Sequence, residues 1–383
     1  MSYLFPNYKR KELELIKGAK QTLTDQKGQD YLDFTSGIGV MNLGYNDPEL
    51  NQELLKQSNL LWHTPNLYEN HLQEQTAEKL ANGKDYISYF CNSGAEANEA
   101  AIKLARKATG KSKIITFINS FHGRTYGAMS ATGQDSIHEG FAPLVPDFVY
   151  LPFNEIEPLK ATIDQHTAAV MLEVIQGEGG VSPADEQWIQ AVQSLCHKFG
   201  ALLIVDEIQT GMGRTGTLYA YEHYKIDPDI FTLAKGLGNG IPVGAMVGKA
   251  SLAAAFGPGS HGSTFGGNKL AMSVAYKVVE RINQPNFLHD VQKKGQQLFH
   301  GLTQIAENNP IIKEVRGKGL MIGVEVSDQE TLNAILEQLE AEGLLTLKAG
   351  QNVLRLLPPL TITEEEITKG LVILDKVLNN LVS

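Results

Sequence analysis

Residues 202–210 are Leu202-Leu203-Ile204-Val205-Asp206-Glu207-Ile208-Gln209-Thr210, an apolar run that ends abruptly in two carboxylates. The apolar part predicts a buried strand, and the carboxyl ends of parallel strands form the ligand crevice of an open α/β sheet. We therefore expect Asp206 to reach into a crevice while Glu207 turns to the other side. A metal-binding acid pair and a solvated strand end are the alternatives, although no histidine or third acid lies at a useful spacing nearby.

Short apolar runs alternate with longer stretches of helical period on the amino-terminal side of this strand. They predict strands at 87–90, 114–118, 168–175 and 201–205, and helices at 94–108 and 188–199. This alternation predicts an α/β fold with a mostly parallel central sheet and helices on both faces.

The pattern changes after Lys269. One long helical stretch, 270–306, is followed by apolar runs at 319–326 and 353–356 and by helical stretches at 329–342 and 364–381. Few strands with several helices predict a smaller α+β domain, and Thr363 with Glu366 forms a capping-box pattern at the last helix. We expect an N-terminal segment (1–45) that packs with the small domain, a large domain (46–268) and a small domain (269–383).

Composition excludes several classes of protein. A net charge of −10 and the lack of any long basic run argue against nucleic-acid binding. The apolar runs are far shorter than the roughly 20 residues of a membrane span. Two cysteines are no disulfide framework, and His63 and His71 lack the spacing of a zinc pair, so no metal is expected. The mixed polar start predicts a cytoplasmic protein.

Two segments suggest cofactor chemistry. Ser93 and Glu96 lie at capping-box spacing after a strand, with Gly94 and Ala95 between them, and such a helix start is either a plain cap or a phosphate site. Lys235 closes an apolar strand before a glycine-rich turn. A lysine in apolar surroundings is a candidate for covalent chemistry with a carbonyl, and the alternative is a strand-end lysine that extends to water.

Six motifs in the same order resemble the class-III aminotransferases of the fold-type-I pyridoxal-phosphate (PLP) enzymes, and the similarity covers nearly the whole chain. They are Ser93-Gly94-Ala95-Glu96-Ala97-Asn98, Phe121-His122-Gly123-Arg124-Thr125, Gln176-Gly177-Glu178-Gly179-Gly180, Val205-Asp206-Glu207-Ile208-Gln209-Thr210-Gly211, Lys235 and Ser263-Thr264-Phe265-Gly266-Gly267-Asn268. The resemblance implies the fold-type-I PLP-dependent transferase fold and a PLP cofactor.

The same resemblance implies the cofactor contacts. Lys235 would carry the cofactor and then move the substrate proton, and Asp206 would keep the pyridine nitrogen protonated. Thr264 would reach the phosphate from a second subunit, which implies a homodimer with active sites at its interface. The implied cofactor-binding residues are Ser93, Gly94, Ala95, Phe121, Asp206, Gln209, Lys235 and Thr264.

The implied substrate-binding residues are Arg124, Glu178, Ser263 and Arg355. Arg124 matches the arginine that holds the α-carboxylate of an acylated ornithine, and Arg355 the one that holds glutamate or 2-oxoglutarate. In the family, Glu178 pairs with Arg355 when the donor is a terminal amine and moves away for glutamate.

The resemblance implies transfer of the terminal amino group of N2-acetyl-L-ornithine to 2-oxoglutarate, a step of arginine biosynthesis, with the cofactor alternating between pyridoxal and pyridoxamine forms. Relatives that use ornithine, succinylornithine or 4-aminobutyrate share these motifs, and a PLP-dependent aminomutase is a further alternative. Ile38 stands where ornithine-specific relatives carry a tyrosine. It is expected either to form an apolar wall for the acetylated donor or to pack in the core.

Overall fold

The computed structural model describes residues 3–382, and its centre is a sheet of seven strands within that range. In spatial order the strands are Tyr86–Cys91, Gly244–Lys249, Ile230–Leu233, Leu202–Asp206, Thr167–Leu172, Lys113–Phe117 and Phe148–Leu151. Gly244–Lys249 runs antiparallel to both neighbours, and the other pairs are parallel. The predicted mostly parallel sheet is confirmed.

Both faces of this sheet are buried, which explains why its strands are continuously apolar. Because side chains alternate across a strand, Leu203 and Val205 pack in one apolar cluster, with Trp188 of the helix Glu186–Phe199. Ile204 packs in another cluster on the opposite face, together with Ala101 of the helix Gly94–Thr109. The predicted helices on both faces are confirmed.

A second sheet lies in the C-terminal part of the chain. Its strands, in spatial order, are Ile312–Lys318, Met321–Val326, Val353–Leu356 and Leu347–Ala349. Three helices pack with it around a separate apolar cluster: Pro285–Asn308, Gln329–Ala341 and Glu364–Val382. The capping box is present, since Thr363 N donates to Glu366 Oε2 (2.9 Å) and Glu366 N donates to Thr363 Oγ1 (3.2 Å).

The N-terminal segment joins this C-terminal core. The strand Asp30–Asp33 pairs in parallel with Leu344–Leu345, and Leu32 and Phe34 are buried in the C-terminal cluster. The exact division into 1–45, 46–268 and 269–383 stays a prediction.

The expected single helical stretch 270–306 is wrong. The structure has two helices, Lys269–Ile282 and Pro285–Asn308, and the intervening Gln284 has an extended backbone (φ −96°, ψ 128°). Proline lacks the N–H and sterically disfavours a helical residue before it, so Pro285 begins a new helix instead of continuing the old one.

The remaining elements connect or cover these layers. The strands are Leu15–Ala19, Thr22–Asp25, Ile175–Gln176 and Ser182–Pro183; the helices are Pro48–Ser58, His71–Ala81, Tyr126–Ala131, Asp135–His138 and Ile156–Thr162; the 3₁₀ turns are Ala220–Tyr224, Lys235–Leu237 and Ala250–Phe256. No helix in the described part of the chain is long and apolar enough to cross a membrane.

Candidate active site

A cavity of about 430 Å³ opens at the carboxyl ends of the central strands. Nine residues that the sequence predicted for a site line it: Ser93, Gly94, Ala95, Phe121, Arg124, Glu178, Asp206, Gln209 and Lys235. They come from segments far apart in the chain, so the fold brings these predicted residues together.

One end of the cavity is the start of the helix Gly94–Thr109. Ser93 is the N-cap, and its Oγ accepts a hydrogen bond from Glu96 N at 3.2 Å. Gly94 and Ala95 lie in the first turn of the helix, where no earlier helical carbonyl is available to accept from their N–H groups. Neither N–H group has a hydrogen-bond partner within residues 3–382. A Cβ on Gly94 would lie 2.7 Å from Ile208 Cδ1, so a larger residue here would have to displace the Ile208 side chain. This end of the cavity is chemically suited to a phosphate group.

Asp206 lies at the floor of the cavity, where neighbouring side chains hold its carboxylate. Its Oδ2 accepts hydrogen bonds from Asn98 Nδ2 and His122 Nδ1, each at 2.8 Å, and its Oδ1 accepts one from Ile208 N at 3.0 Å. Thr232 Oγ1 in turn donates to Asn98 Oδ1 at 2.8 Å. Burial opposes the charged imidazole, but the bond to Asp206 and its charge raise the pKa of His122 above its usual value. The carboxylate is thus fixed in one orientation.

Lys235 follows the strand Ile230–Leu233 with a left-handed backbone (φ 42°). Its Nζ has no hydrogen bond or ion pair to any residue in the described part of the chain. Burial lowers the pKa of Lys235 below its usual range; the nearby charge of Glu178 acts against this effect and that of Arg355 adds to it. This shift acts in favour of the neutral amine, the form that attacks a carbonyl.

A buried arginine lies behind two residues that line the cavity, Glu178 and Gln209. Arg355, in the strand Val353–Leu356, is 2% exposed, and its Nη1 lies 2.5 Å from Glu178 Oε1. Nη1 also donates to Gln209 Oε1 and Gly177 O, each at 3.1 Å, while Gln209 Nε2 donates to Glu178 Oε1 at 3.2 Å. Burial acts to raise the pKa of Glu178, but the ion pair with Arg355, together with the charge of Lys235 and the bond from Gln209, lowers the net pKa. The pair expected between Glu178 and Arg355 is present.

A second guanidinium stands at the mouth of the cavity. Arg124 is exposed, its Cζ lies 5.7 Å from the centroid of the Phe121 ring, and it has no ion pair among residues 3–382. Glu99 holds the backbone that follows, since its Oε1 accepts hydrogen bonds from Thr125 Oγ1 (2.6 Å) and Gly127 N (2.8 Å). Arg124 is therefore a free cation on an anchored loop, available to an incoming carboxylate.

The model of the class-III aminotransferase family matches residues 6–378. The chain belongs to this family.

Other class-III aminotransferases match over nearly the full length. The acetylornithine aminotransferase of Listeria monocytogenes serotype 4b (strain F2365) is 54% identical over 380 residues, 99% of this chain and 98% of that protein. The Streptococcus mutans acetylornithine aminotransferase is 55% identical, over 98% of this chain and 99% of its own length.

Solved structures agree with this assignment. N-acetylornithine aminotransferase from Stenotrophomonas maltophilia K279a superposes with a TM-score of 0.85 at 37% identity, covering 98% of each chain. Ornithine aminotransferase from Toxoplasma gondii, whose active site holds PLP at partial occupancy, has a TM-score of 0.94 at 32% identity over 99% of this chain and 93% of its own. The predicted fold is that of these aminotransferases.

Three predicted residues of this class-III aminotransferase do not line the cavity of their own chain: Arg355, which lies behind Glu178 and Gln209, and the neighbouring Ser263 and Thr264. Ser263 Oγ accepts hydrogen bonds from Gly266 N at 2.9 Å and Asn92 Nδ2 at 3.1 Å, and Thr264 is exposed beside it. The implied roles of Ser263 and Thr264 stay predictions that depend on a second subunit.

Ile38 does not form the expected wall. It is 45% exposed and does not line the cavity, whereas Val40 does. The cause is a left-handed turn over Ser36–Gly39, in which Ile38 itself has φ 65°, and this turn directs the side chain away from both the cavity and the core.

Sequence reasoning missed Glu173, a buried carboxylate that also lines the cavity. Its Oε2 accepts a hydrogen bond from Phe121 N at 3.1 Å, and burial raises the pKa of Glu173 to about 7. The available signal was its position in the apolar run 168–175, because a carboxylate in a buried strand needs a specific reason to be there. Among the described residues no cluster of three or more histidine, cysteine or acidic side chains could hold a metal ion.

Proposed function

We propose that the chain is a PLP-dependent aminotransferase that moves the terminal amino group of N2-acetyl-L-ornithine to 2-oxoglutarate. The observation that carries this proposal is the single cavity that combines the free amine of Lys235, the fixed carboxylate of Asp206 and the anion site at Gly94 and Ala95. The identity of more than 50% with named acetylornithine aminotransferases supports the choice of donor.

The residues present fit PLP. The free N–H groups of Gly94 and Ala95 would hold its phosphate, Asp206 its pyridine nitrogen, and Lys235 its aldehyde, while Phe121 would lie against the ring and Gln209 near the 3′-oxygen. When bound, the cofactor supplies an electron sink for the substrate C–H bond.

Lys235 moves the proton in this proposal. An ammonium with the usual pKa near 10.4 would be a poor base at neutral pH, and the lowered pKa of Lys235 makes Nζ available to take a proton and to return it. Asp206 would face the pyridine nitrogen, and Asn98 and His122 keep its carboxylate from rotating away.

One cavity must accept two substrates of different charge. With the donor, whose reacting end is a terminal amine, Glu178 stays on Arg355 and neutralises it, while Arg124 at the mouth binds the α-carboxylate. With 2-oxoglutarate or glutamate, Glu178 releases Arg355 to the substrate carboxylate. Ser263 is proposed to contact the substrate from the second subunit.

We further propose a homodimer. Large apolar side chains are exposed in two neighbouring segments, and a protein–protein contact would account for this exposure. They are Leu60 (72% exposed), Leu61 (44%), Trp62 (63%), Leu67 (88%), Tyr68 (69%) and Phe265 (62%). A second copy on this surface would cover them and place the exposed Thr264 of each subunit at the other's cavity. The burial of Leu32 and Phe34 in the C-terminal apolar cluster supports an N-terminal segment (1–45) that packs with the small domain (269–383), apart from the large domain (46–268), and the two free buried cysteines fit a cytoplasmic enzyme.

The test is a panel of ω-amines with 2-oxoglutarate as acceptor. We expect kcat/KM for N2-acetylornithine to exceed that for ornithine at least ~10-fold, about 1.4 kcal/mol of transition-state discrimination. Comparable values, or a preference for 4-aminobutyrate or succinylornithine, would contradict the chosen donor. Turnover without glutamate formation would indicate an aminomutase instead.

A further inference from the structure

Three side-chain amides grip the loop that carries Thr264. Asn66 Nδ2 donates to Ser263 O at 3.3 Å and to Gly266 O at 2.9 Å. Asn70 Nδ2 and Gln73 Nε2 both donate to Gly267 O, at 3.0 and 2.9 Å. We call Asn66, Asn70 and Gln73 the amide clamp.

The clamp is internally braced, so its members do not act singly. Gln73 Nε2 also donates to Asn66 Oδ1 at 2.8 Å, and Asn70 is the N-cap of the helix His71–Ala81, where its Oδ1 accepts from Leu72 N. Two of the amides are therefore tied to each other, and the third is tied to a helix start. These hydrogen bonds restrict the conformations of the three amides, so the loop carbonyls accept from donors in fixed positions.

The loop itself is closely packed on two sides. Within it, Gly266 N donates to Ser263 Oγ, which closes a turn whose outer residues are Thr264 and Phe265. A Cβ on Gly266 would lie 2.3 Å from Phe90 O, and one on Gly267, which has φ +75°, would lie 2.3 Å from Gln73 Nε2. The turn is thus pressed against the strand Tyr86–Cys91 on one side and the clamp on the other, with Thr264 facing outward.

We propose that the amide clamp is a set of positioning residues that holds Thr264 of one subunit in the conformation that reaches the cofactor phosphate in the other. This inference rests on the proposed function. The clamp joins the two segments that expose Trp62, Leu67 and Phe265, so a second copy docked there excludes water from the amides and strengthens their bonds. Asn66, Asn70 and Gln73 do not line the cavity of Lys235 in their own chain, and in this proposal they act only through the loop.

Cofactor affinity, measured by absorbance titration of the dimeric protein, tests the proposal. The ligands are PLP and pyridoxal, which lacks the phosphate. Thr264→Val should weaken PLP binding at least about 10-fold, the effect of one hydrogen bond to a charged group. Asn66→Ala should weaken it by a comparable factor and leave pyridoxal binding unchanged.

The double variant Asn66→Ala/Thr264→Val decides whether the clamp acts through Thr264. If it does, the double variant binds PLP as weakly as Thr264→Val alone, because the first change has nothing left to position. Asn308→Ala is the matched control, since its exposed amide bonds only within its own helix. Sedimentation verifies the dimer in each variant; if Asn66→Ala is monomeric, Gln73→Met, which keeps Asn66 and the side-chain volume, replaces it in the same cycle.

Three results would contradict this proposal. The clamp variant could bind PLP with wild-type affinity, or the loss of PLP affinity in the double variant could equal the product of the two single losses. The clamp variant could also lose affinity for pyridoxal by the same factor as for PLP. Failure of the wild-type protein to bind PLP at all is a different result. It would overturn the proposed function itself, and with it this inference.

Discussion

Replacing Glu178 with alanine should separate the two half-reactions. In the proposed function, the carboxylate of 2-oxoglutarate displaces Glu178 from Arg355, where Nη1 and Oε1 are 2.5 Å apart. Alanine removes this competitor, so the acceptor should bind more tightly. The donor half-reaction should slow, because its terminal amine then enters a site that holds an uncompensated buried guanidinium.

The size of the effect follows from the bonds that are lost. A hydrogen bond to a charged group contributes about 1.5–3 kcal/mol, or roughly 10- to 150-fold in a binding constant. The acceptor gains only the lower end of this range, because Gln209 Oε1 and Gly177 O remain bonded to Arg355 Nη1 at 3.1 Å. We expect the dissociation constant of 2-oxoglutarate to fall about 10-fold and the donor rate constant to fall by a similar factor.

Single-turnover absorbance of the pyridoxal and pyridoxamine forms measures each half-reaction separately. Glu178→Gln is the conservative comparison: it keeps an acceptor for Arg355 but no charge, so its effects should have the same signs and be smaller. Equal losses in both half-reactions, or weaker acceptor binding, would refute the switch and make Glu178 a structural acid.

Three further changes test other residues of the site and fold. Borohydride reduction of the yellow protein should fix the cofactor to Lys235, as peptide mapping would reveal, and a label on another lysine would contradict the central assignment. Asp206→Ala should keep the dimer but less than about a tenth of wild-type turnover, a loss above ~1.4 kcal/mol in the barrier, and higher activity would exclude the electron-sink role. Burial raises the pKa of Glu207 from 4.5 to about 7, so the folded protein holds a proton that the unfolded chain releases. Protonated Glu207 contributes fully to the free energy of unfolding below pH 4.5, and this contribution is lost as pH rises through 7. Glu207→Gln should reduce the loss between pH 5 and pH 8, measured by urea unfolding, by at most about 3 kcal/mol. The same pH dependence in both proteins would contradict this prediction.

Features carried by local sequence were predictable. An apolar run that ends in Asp206, a capping box after a strand at Ser93, and a lysine before glycines each reflect the chemistry of a few adjacent residues. Strand ends in a parallel sheet meet at one edge, so the cavity position followed from the alternation alone. By the same local reasoning, Pro285 indicates the start of a helix. The helical period continues on both sides of it, so the two helices were predicted as one.

Contacts between distant residues were not predictable in this way. Asn98 and His122 precede Asp206 by 108 and 84 residues, and no local pattern indicates that their side chains share one carboxylate oxygen. The expected role of Ile38 is wrong for a backbone reason: the left-handed turn directs its side chain outward. Motif spacing specifies which residues are present and not the direction in which each one faces.

The pairing of Asp30–Asp33 with Leu344–Leu345 sets a constraint on how the protein is made. At a ribosomal rate of roughly 5–20 residues per second, the partner strand appears tens of seconds after the first one. During that interval the central sheet has been synthesised, while Leu32 and Phe34 have no core to enter. The helix Glu364–Val382 belongs to that same core, so completion of the N-terminal segment waits until this helix has been synthesised. Loss of this helix should therefore appear first as nascent chains captured by chaperones through their N-terminal end.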